Sequence, residues 1–392
     1  FYMVASQMWG TMESFTLVAI PLFVFMAMLL ERTGVARDLY RMMHLWCGGM
    51  RGGLAIGTLG ICAVFGAMVG ISGAAVVAMG TIALPAMLER GYDKRMVLGC
   101  INTGGGWGIL IPPSIMMILY AMISGQSVGK MFAAGVLPGL LLVALTVTYV
   151  LVRSFLQPHL APALPKEERG SWGDKLRAIR AVLLPIGIVV MVLGSIIGGL
   201  TTPTEAAAMG VFGALISAAV YRKLNWPVLQ EAAIRTFKLT GMIAWILFAA
   251  HAFSSAYQGM GAQSLIEGLM MDLPGGRWAI IIVMMAIVFV MGMLLDPVGI
   301  MLITLPVFLP IVASLGFDPI WFGVLFVINM EIGYMTPPFG FNLFYLKGIV
   351  PPGITMKDIY WSVIPFVIVN IIGMGIIMLF PEIATYLPNT LF

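Results

Sequence analysis

The sequence predicts an all-α polytopic membrane protein that contains two inverted repeats. Of its 392 residues, 60% are hydrophobic and only 10% are charged, whereas soluble domains contain about 25% charged residues. Long apolar stretches occur along the whole chain, and a bilayer-spanning helix needs about 20 such residues. Gly and Pro motifs recur at an offset of about 225 residues. Together these observations favour a duplicated membrane protein with broken helices.

The composition excludes several functional classes. Charged residues are too few to cover a globular surface, so we do not expect a soluble enzyme, a disordered regulator or a nucleic-acid-binding protein. The net charge of +4 fits basic cytoplasmic loops. Cys47, Cys62 and Cys100 lack metal or disulfide spacing and are predicted to be packing residues. Nucleotide-binding and nucleophile motifs are also missing, so no enzymatic activity is predicted.

The apolar stretches are of two kinds. Six predict unbroken spans, at residues 14–30, 132–152, 183–200, 204–221, 239–253 and 359–380. Four are interrupted by Gly and Pro, at residues 54–88, 96–123, 278–315 and 319–346. Backbone that leaves the helix at membrane depth must be buried in protein or line a cavity. The breaks therefore indicate the functional region.

The distribution of Lys and Arg predicts the orientation of the chain. Residues 1–13 carry neither, while the loop after the first span contains four Arg and is predicted to be cytoplasmic. Basic residues flank both ends of residues 54–88, which predicts a re-entrant hairpin with its tip at Gly70-Ile71-Ser72-Gly73-Ala74. Residues 278–315 predict a second hairpin that opens to the opposite face. Inverted repeats with broken helices are typical of secondary transporters.

The repeat is detected in paired motifs at an almost constant spacing. Leu84-Pro85 corresponds to Leu309-Pro310, and Pro112-Pro113 corresponds to Pro337-Pro338. Gly34 pairs with Gly259 at the same offset, and Lys130 pairs with Lys357 at an offset of 227. Several pairs at nearly one offset indicate duplication rather than chance.

The two hairpin tips are predicted to face the two Pro-Pro breaks. A double Pro removes two N–H donors and frees carbonyls of the preceding turn. Together with Ser, Thr and Asn oxygens, these carbonyls suit Na⁺, while the N-termini of helix halves suit a substrate carboxylate. A kink tolerated by packing is the alternative, but a motif that occurs twice opposite a tip favours the functional interpretation. The candidate substrate-binding side chains are Ser72, Asn102, Thr103, Ser114, Asn329 and Thr336.

Few charged side chains lie near the predicted tips and breaks. An acid at the bilayer centre costs about 2.5–3.5 kcal/mol, so Asp296 and Glu331 each need a partner. Asp296, at the second tip, either faces a cation or caps the following helix. For Glu331 we expect bonds to neighbouring backbone or scaffold donors, and for His251 a packed role rather than a proton relay. Because no Lys or Arg lies near either tip, an anionic substrate must rely on N–H groups, hydroxyls and bound cations.

Other segments predict structural elements. Thr202-Pro203-Thr204-Glu205 fits a capping box with Pro at the first helical position. Residues 34–47 and 227–238 have the pattern of amphipathic helices at the membrane interface. Such helices are either arms that brace a moving domain or plain surface anchors.

These motifs resemble the large membrane subunit of the tripartite ATP-independent periplasmic (TRAP) transporters. The resemblance extends from about residue 10 to the end of the chain and implies one further helix before Phe1. It rests on Ala19-Ile20-Pro21-Leu22-Phe23, Glu31-Arg32-Thr33-Gly34, the segment from Gly108 to Ser114, Pro203-Thr204-Glu205-Ala206, Asp296-Pro297, Leu305-Pro306 and Thr336-Pro337-Pro338.

The resemblance implies an elevator-type, Na⁺-coupled importer of organic acids in the bacterial inner membrane. It also implies a small four-helix membrane subunit and a periplasmic substrate-binding protein as partners. The first Na⁺ site would comprise Ser72 and Gly73, carbonyls between Gly108 and Ile111, and Pro113. The second would comprise Asp296, Gly333, Thr336 and Pro338. Ala74 departs from the family pattern, because it offers only its backbone where many members have a polar side chain.

The predicted organisation alternates scaffold and transport segments. Residues 1–53 and 130–257 would form the scaffold, with a cytoplasmic loop at 153–180 and an arm at 227–238. Residues 54–129 and 258–355 would form the two transport repeats, and residues 356–392 a C-terminal helix. The alternative function is that of a stand-alone cation-coupled carboxylate transporter or antiporter, which needs no binding protein.

Overall fold

The computed structural model describes the backbone of residues 2–165, 170–271 and 274–392, and this part of the chain contains helices and no strands. Eighteen α-helices are described: α1 Tyr2–Met12, α2 Phe15–Arg32, α3 Val35–Cys47, α4 Gly53–Val69, α5 Ser72–Leu88, α6 Lys94–Gly106, α7 Ile115–Ser124, α8 Val128–Leu156, α9 Trp172–Ile197, α10 Pro203–Val220, α11 Trp226–Gly259, α12 Ala262–Met271, α13 Gly276–Gly292, α14 Pro297–Ser314, α15 Pro319–Tyr334, α16 Phe341–Lys347, α17 Met356–Leu379 and α18 Glu382–Leu391. The prediction of an all-α polytopic membrane protein is confirmed.

Six of the described helices are long and apolar enough to cross a membrane, namely α2, α8, α10, α11, α14 and α17. Five of them contain or closely match predicted spans. The predicted span at 183–200 largely falls within α9, which bends by 45° after Arg180 and could count as a seventh crossing. The sixth long helix, α14, lies in the predicted second hairpin. The four stretches predicted to be broken also contain shorter apolar helices of 10–17 residues, namely α4, α5, α7, α13 and α15.

All four predicted breaks occur in the structure. α4 ends at Gly70, which has a φ of +65°, a conformation that glycine adopts without a Cβ clash. α5 then begins at Ser72 and packs back against α4. α6 gives way to a short 3₁₀ turn, Trp107–Ile109, before Pro112-Pro113. In the second half the breaks fall between α13 and α14 and between α15 and α16.

The helix boundaries repeat with the spacing found in the sequence. α5 and α14 begin at Ser72 and Pro297, and α6 and α15 begin at Lys94 and Pro319; both pairs are 225 residues apart. The Pro112–Pro113 and Pro337–Pro338 peptide bonds have the same separation, and both are cis. The same order of helices therefore occurs twice. The inversion of one copy relative to the other stays a prediction.

One predicted boundary is wrong. Residues 227–238 do not form a separate interfacial helix, because α11 runs without a break from Trp226 to Gly259. Pro227 stands in the first turn, where its missing N–H costs nothing, and no later residue interrupts the backbone ladder. The side chain of Glu231 on this helix pairs with Arg235 and with Arg32 of α2.

The helix predicted for residues 34–47 and the capping box are present. α3 covers residues 35–47 and packs against α4 and α9. Its Val35, Ala36 and Leu39 are buried, and partial burial raises the pKa of the Asp38 carboxyl despite the opposing Arg41 and Arg37. Thr202 caps α10, and the Glu205 carboxylate accepts the backbone N–H of Thr202 at 2.8 Å.

The core is centred on α15. Each of its residues from Ile320 to Tyr334 is buried, and it contacts helices of both halves, including α6, α7, α8, α13, α14 and α17. A largely apolar helix that is buried on all sides lies within a larger assembly of helices. α15 therefore holds the two Pro-Pro breaks in one structural unit.

Candidate transport site

The first hairpin tip packs against the backbone of the first break. A Cβ atom built on Gly66 would lie 3.0 Å from Cα of Gly108, and one on Gly70 would lie 2.9 Å from the Pro113 carbonyl oxygen. A Cβ on Gly108 would lie 3.2 Å from the Ile71 carbonyl. Small residues permit such close backbone contact inside membranes. The structure thus brings the tip together with the predicted carbonyl ligands.

The second tip repeats this arrangement. A Cβ atom built on Gly333 would lie 2.8 Å from the backbone of Gly292, and one on Gly292 would lie 3.2 Å from Cα of Gly333. The Gly340 N–H donates to the Met293 carbonyl at 3.2 Å. Asp296 therefore lies beside the segment that contains Gly333, Thr336 and Pro338.

The first proline of each break removes one helical N–H donor. In an α-helix the N–H of a residue donates to the carbonyl four residues earlier. Pro112 has no N–H for Gly108, and Pro337 has none for Gly333. Gly333 receives instead the N–H of Thr336 at 3.0 Å. Both glycines were predicted as ligands, and their carbonyl oxygens have the chemistry that Na⁺ prefers.

Asp296 caps α14, one of the two roles that the sequence left open. Its Oδ1 accepts the Val298 N–H at 2.9 Å, and its Oδ2 accepts the Tyr334 hydroxyl at 3.4 Å. The side chain is half-buried. The capping role does not use all the lone pairs of the carboxylate, so a cation contact is compatible with it.

The predicted substrate side chains fall into separate groups. Ser114, Asn329 and Thr336 bond to the backbone of their own halves, at Ile109, Met285 and Ile332. Thr103 contacts the Met335 sulfur at 3.8 Å. Asn102 is fully buried, and neither of its amide atoms has a hydrogen-bond partner in the described part of the chain. Thr103 and Ser72 thus make side-chain hydrogen bonds across the two halves, and that of Ser72 is to the amide oxygen of Asn342.

That cross-half bond reveals a residue that the sequence did not indicate. The Ser72 hydroxyl, in the first turn of α5, donates to Oδ1 of Asn342 in α16 at 2.8 Å, and both side chains are buried. Asn342 corresponds at the 225-residue offset to Met117, which is not polar. The repeat therefore gave no signal for it. Tyr334, which bonds to Asp296, was also missed.

The two breaks differ in exposure. Pro112 and Pro113 are buried, whereas Pro338 and Phe339 are exposed. Near the second tip, Leu294 and Leu295 are 50% and 42% exposed. The second break is therefore more exposed than the first in this structure.

Two further sequence expectations can be compared with the structure. The hydrogen bonds expected for Glu331 are not present, because neither carboxyl oxygen has a partner among the described residues. Backbone N–H groups at this depth are used within the helices themselves. His251 lines a cavity of about 570 Å³ between α11, α7 and α14. None of the predicted ion ligands lines this cavity.

The Ser72–Asn342 bond leads to a stability prediction. Ser72→Ala should lower the free energy of unfolding by about 1–3 kcal/mol, because the buried Asn342 amide loses its one partner in the described structure. Asn342→Leu in the same chain should recover part of this loss. Thermal unfolding of the single and double variants in detergent measures the coupling.

Ser154→Ala is the matched control. Ser154 is equally buried, but its hydroxyl donates to Val150 within its own helix at 2.7 Å. Its removal leaves that carbonyl with its helical partner and should cost less. If the effects of the Ser72 and Asn342 variants were simply additive, the bond would not stabilise the contact between the halves.

Comparison with known proteins gives the family. The family model described as "Tripartite ATP-independent periplasmic transporter, DctM component" matches residues 1–383. The C4-dicarboxylate TRAP transporter large permease protein DctM of Pseudomonas aeruginosa is 35% identical to this chain, with 99% of this chain and 89% of that protein covered. The ectoine TRAP transporter large permease protein TeaC of Halomonas elongata is 32% identical, with 98% and 89% covered.

A solved structure has a similar fold. The crystal structure of the Alcanivorax borkumensis YdaH transporter aligns with a TM-score of 0.63 at 13% identity, covering 93% of this chain and 86% of that one. At this identity the similarity concerns the fold alone. From the family match and the apolar helices together, we conclude that this chain is a multi-pass membrane transporter subunit, not an enzyme, and belongs to the DctM-component family of the tripartite ATP-independent periplasmic transporters.

Proposed function

We propose that this chain is the translocating subunit of a TRAP transporter that imports an organic acid across the bacterial inner membrane, driven by Na⁺. The main supporting observation is the duplicated contact between a hairpin tip and a Pro-Pro break, at Gly66 and Gly108 and again at Gly292 and Gly333. Each contact brings oxygen atoms that can ligate a metal ion together without a basic side chain. Such a set of oxygen ligands suits a hard monovalent cation.

The two proposed Na⁺ sites use the predicted ligands. The first would use Ser72 and Gly73 with the carbonyls from Gly108 to Ile111 and Pro113. The second would use Asp296 with Gly333, Thr336 and Pro338. When bound, Na⁺ supplies positive charge beside the tips, where the chain itself has none. This charge would hold the substrate carboxylate near the N-termini of α5 and α14, which begin at the tips.

The charge of the site and the names of the relatives both support a substrate that carries a carboxylate. The region between Arg277 and Lys347 contains no basic residue, so N–H groups, hydroxyls and the bound cation would have to balance the substrate charge. The similar permeases are named for C4-dicarboxylates and for ectoine. Ser72, Asn102, Thr103, Ser114, Asn329 and Thr336 stay the candidate contacts with substrate.

The remaining parts of the proposal concern partners and movement. The family description names a tripartite, periplasmic system, which supports a small four-helix membrane subunit and a periplasmic binding protein as partners. In an elevator mechanism, residues 54–129 and 258–355 would move past the scaffold helices of residues 130–257. α15 contacts helices of both transport segments and would keep them moving as one body.

Na⁺-driven uptake in proteoliposomes tests this function. With its partners present, the wild-type chain should accumulate an organic acid when Na⁺ is higher outside. Asp296→Asn should raise the Na⁺ half-saturation of uptake at least about tenfold, as expected when a metal loses a charged contact. The fold should survive, because Asn caps helices about as well as Asp.

Asp318→Asn is the matched control. Asp318 also precedes a Pro and caps a helix, with its Oδ1 accepting the Trp321 N–H at 3.2 Å. It lies at the start of α15, away from both tips, so the Na⁺ half-saturation of uptake by Asp318→Asn should equal that of the wild type. An unchanged half-saturation for Asp296→Asn would limit Asp296 to capping. Uptake that needs no Na⁺ gradient would contradict the proposed function.

A further inference from the structure

The crossing of α6 and α15 contains three buried polar side chains, of which only Asn102 belongs to the proposed substrate contacts. Glu331, Asn102 and Trp107 are each fully buried. Both carboxyl oxygens of Glu331, both amide atoms of Asn102 and the indole Nε1 of Trp107 have no hydrogen-bond partner in the described part of the chain. Buried polar groups are nearly always paired, so three unpaired groups near one crossing call for a ligand.

The geometry places Glu331 directly against the glycine-rich end of α6. A Cβ atom built on Gly106 would lie 3.0 Å from Cγ and 3.3 Å from Oε1 of Glu331. Asn102 precedes Gly106 by one helical turn and shares its face, while Trp107 follows it directly. Glycine at position 106 thus makes room for the carboxyl group between the two helices.

The Glu331 carboxyl can be ionised only beside a positive charge, because burial penalises the charged form of an acid. Neither of its oxygens accepts a hydrogen bond from the Asn102 amide or the Trp107 indole. No Lys, Arg or His pairs with Glu331 among the residues that the structure describes. An ionised, unpaired carboxyl at this depth requires a cation.

We propose that Glu331 and Asn102 bind an additional Na⁺ ion at the crossing of the two broken helices, distinct from the ions at the two hairpin tips. The ligands would be the Glu331 carboxylate oxygens and Oδ1 of Asn102. The Trp107 indole N–H would orient the carboxylate as a donor. The identity of the ion rests on the proposed Na⁺ coupling, whereas its location rests on the buried unpaired atoms.

Equilibrium binding of ²²Na⁺ to the purified full chain in lipid nanodiscs tests this site. Glu331→Gln, which keeps the size of the side chain, should bind one Na⁺ fewer per chain than the wild type. Asn102→Leu should raise the half-saturation of one binding step at least about tenfold. Glu331→Asp keeps the charge and should keep the full number of ions at lower affinity. If Glu331→Gln does not fold, Asn102→Leu and Glu331→Asp still provide the test.

Asn370→Leu is the matched control. Asn370 is another fully buried amide, and it bonds to the Phe366 carbonyl within its own helix at 2.9 Å. Its replacement should leave the number and affinity of bound Na⁺ ions unchanged. Equal Na⁺ counts and half-saturations for the wild type, Glu331→Gln and Asn102→Leu would overturn the proposal. It would also be overturned if Glu331→Gln changed only the pH dependence of binding, because Glu331 would then carry a proton.

The outcome is separable from that of the proposed function. If the wild type binds Na⁺ and takes up substrate while Glu331→Gln binds as many ions, only the additional site is wrong. If the wild type binds no Na⁺, both the additional site and the Na⁺ coupling are wrong. If Glu331→Gln binds one Na⁺ ion fewer per chain and Asp318→Asn binds the wild-type number, the additional site is supported. This result does not bear on substrate uptake.

Discussion

Uptake by this chain is expected to fall to background when the periplasmic binding protein is omitted, even with a full Na⁺ gradient. The candidate substrate side chains explain this dependence. Ser114, Asn329 and Thr336 already bond to the backbone, and Ser72 bonds to Asn342. Few free donors remain to capture a dilute acid from solution. Capture would therefore fall to the soluble partner.

The dependence of uptake on the binding protein is measured by reconstituting the transporter in liposomes with one component omitted at a time. The full set of chain, small membrane subunit and binding protein should give Na⁺-driven accumulation of radiolabelled substrate, and readdition of the binding protein should restore it. Liposomes without a Na⁺ gradient serve as the control. Robust Na⁺-driven uptake by the isolated chain would instead identify a stand-alone carboxylate carrier.

Gly333→Ala should abolish transport and destabilise the protein. The added Cβ atom would lie 2.8 Å from the Gly292 backbone, and backbone atoms of two packed helices cannot rotate away as a side chain can. Overpacking in a core costs about 1–3 kcal/mol. The shift would also displace the Gly333 carbonyl, which is a proposed Na⁺ ligand. Thermal unfolding and Na⁺-driven uptake report the two effects separately.

Gly299→Ala provides the matched control. Gly299 lies in the first turn of α14 at the same tip, but a Cβ atom there meets nothing within 4 Å. Ala in a helix is favoured over Gly by about 0.5–1 kcal/mol, so this variant should be as stable as the wild type or more stable. Wild-type uptake by Gly333→Ala would show that the close contact is dispensable, and the proposed second site would lose its main support.

Features that depend on local chemistry were predictable from the sequence. A Pro removes its own N–H wherever it stands, so both Pro-Pro breaks fall where the sequence placed them. Gly70 ends α4, and the Thr202–Glu205 capping box begins α10, as predicted. The fold class followed in the same way from composition and from the length of the apolar stretches.

Features that depend on tertiary contact were not predictable. The Ser72–Asn342 bond joins residues 270 positions apart, and no repeat partner marks Asn342. The continuity of α11 was missed because amphipathic and apolar segments can follow each other in one helix without a break. For Glu331, the sequence shows an acid within an apolar stretch, but only the tertiary structure shows its close contact with Gly106 and the lack of hydrogen-bond partners among the described residues.

The central claim is that the two tips belong to inverted halves that open to opposite sides of the membrane. Cys accessibility tests it most directly. Ser72→Cys and Val298→Cys would be made in a chain without Cys47, Cys62 and Cys100, and labelled with a membrane-impermeant thiol reagent. Ser72 and Val298 are 1% and 2% exposed, so labelling reports opening of the tips.

We predict that the two positions are labelled from opposite sides, and that Na⁺ with substrate changes which of them is labelled. A gap of only a few kcal/mol between the two states makes both states measurable. Labelling of both positions from the same single side, with or without Na⁺ and substrate, would contradict the inverted arrangement.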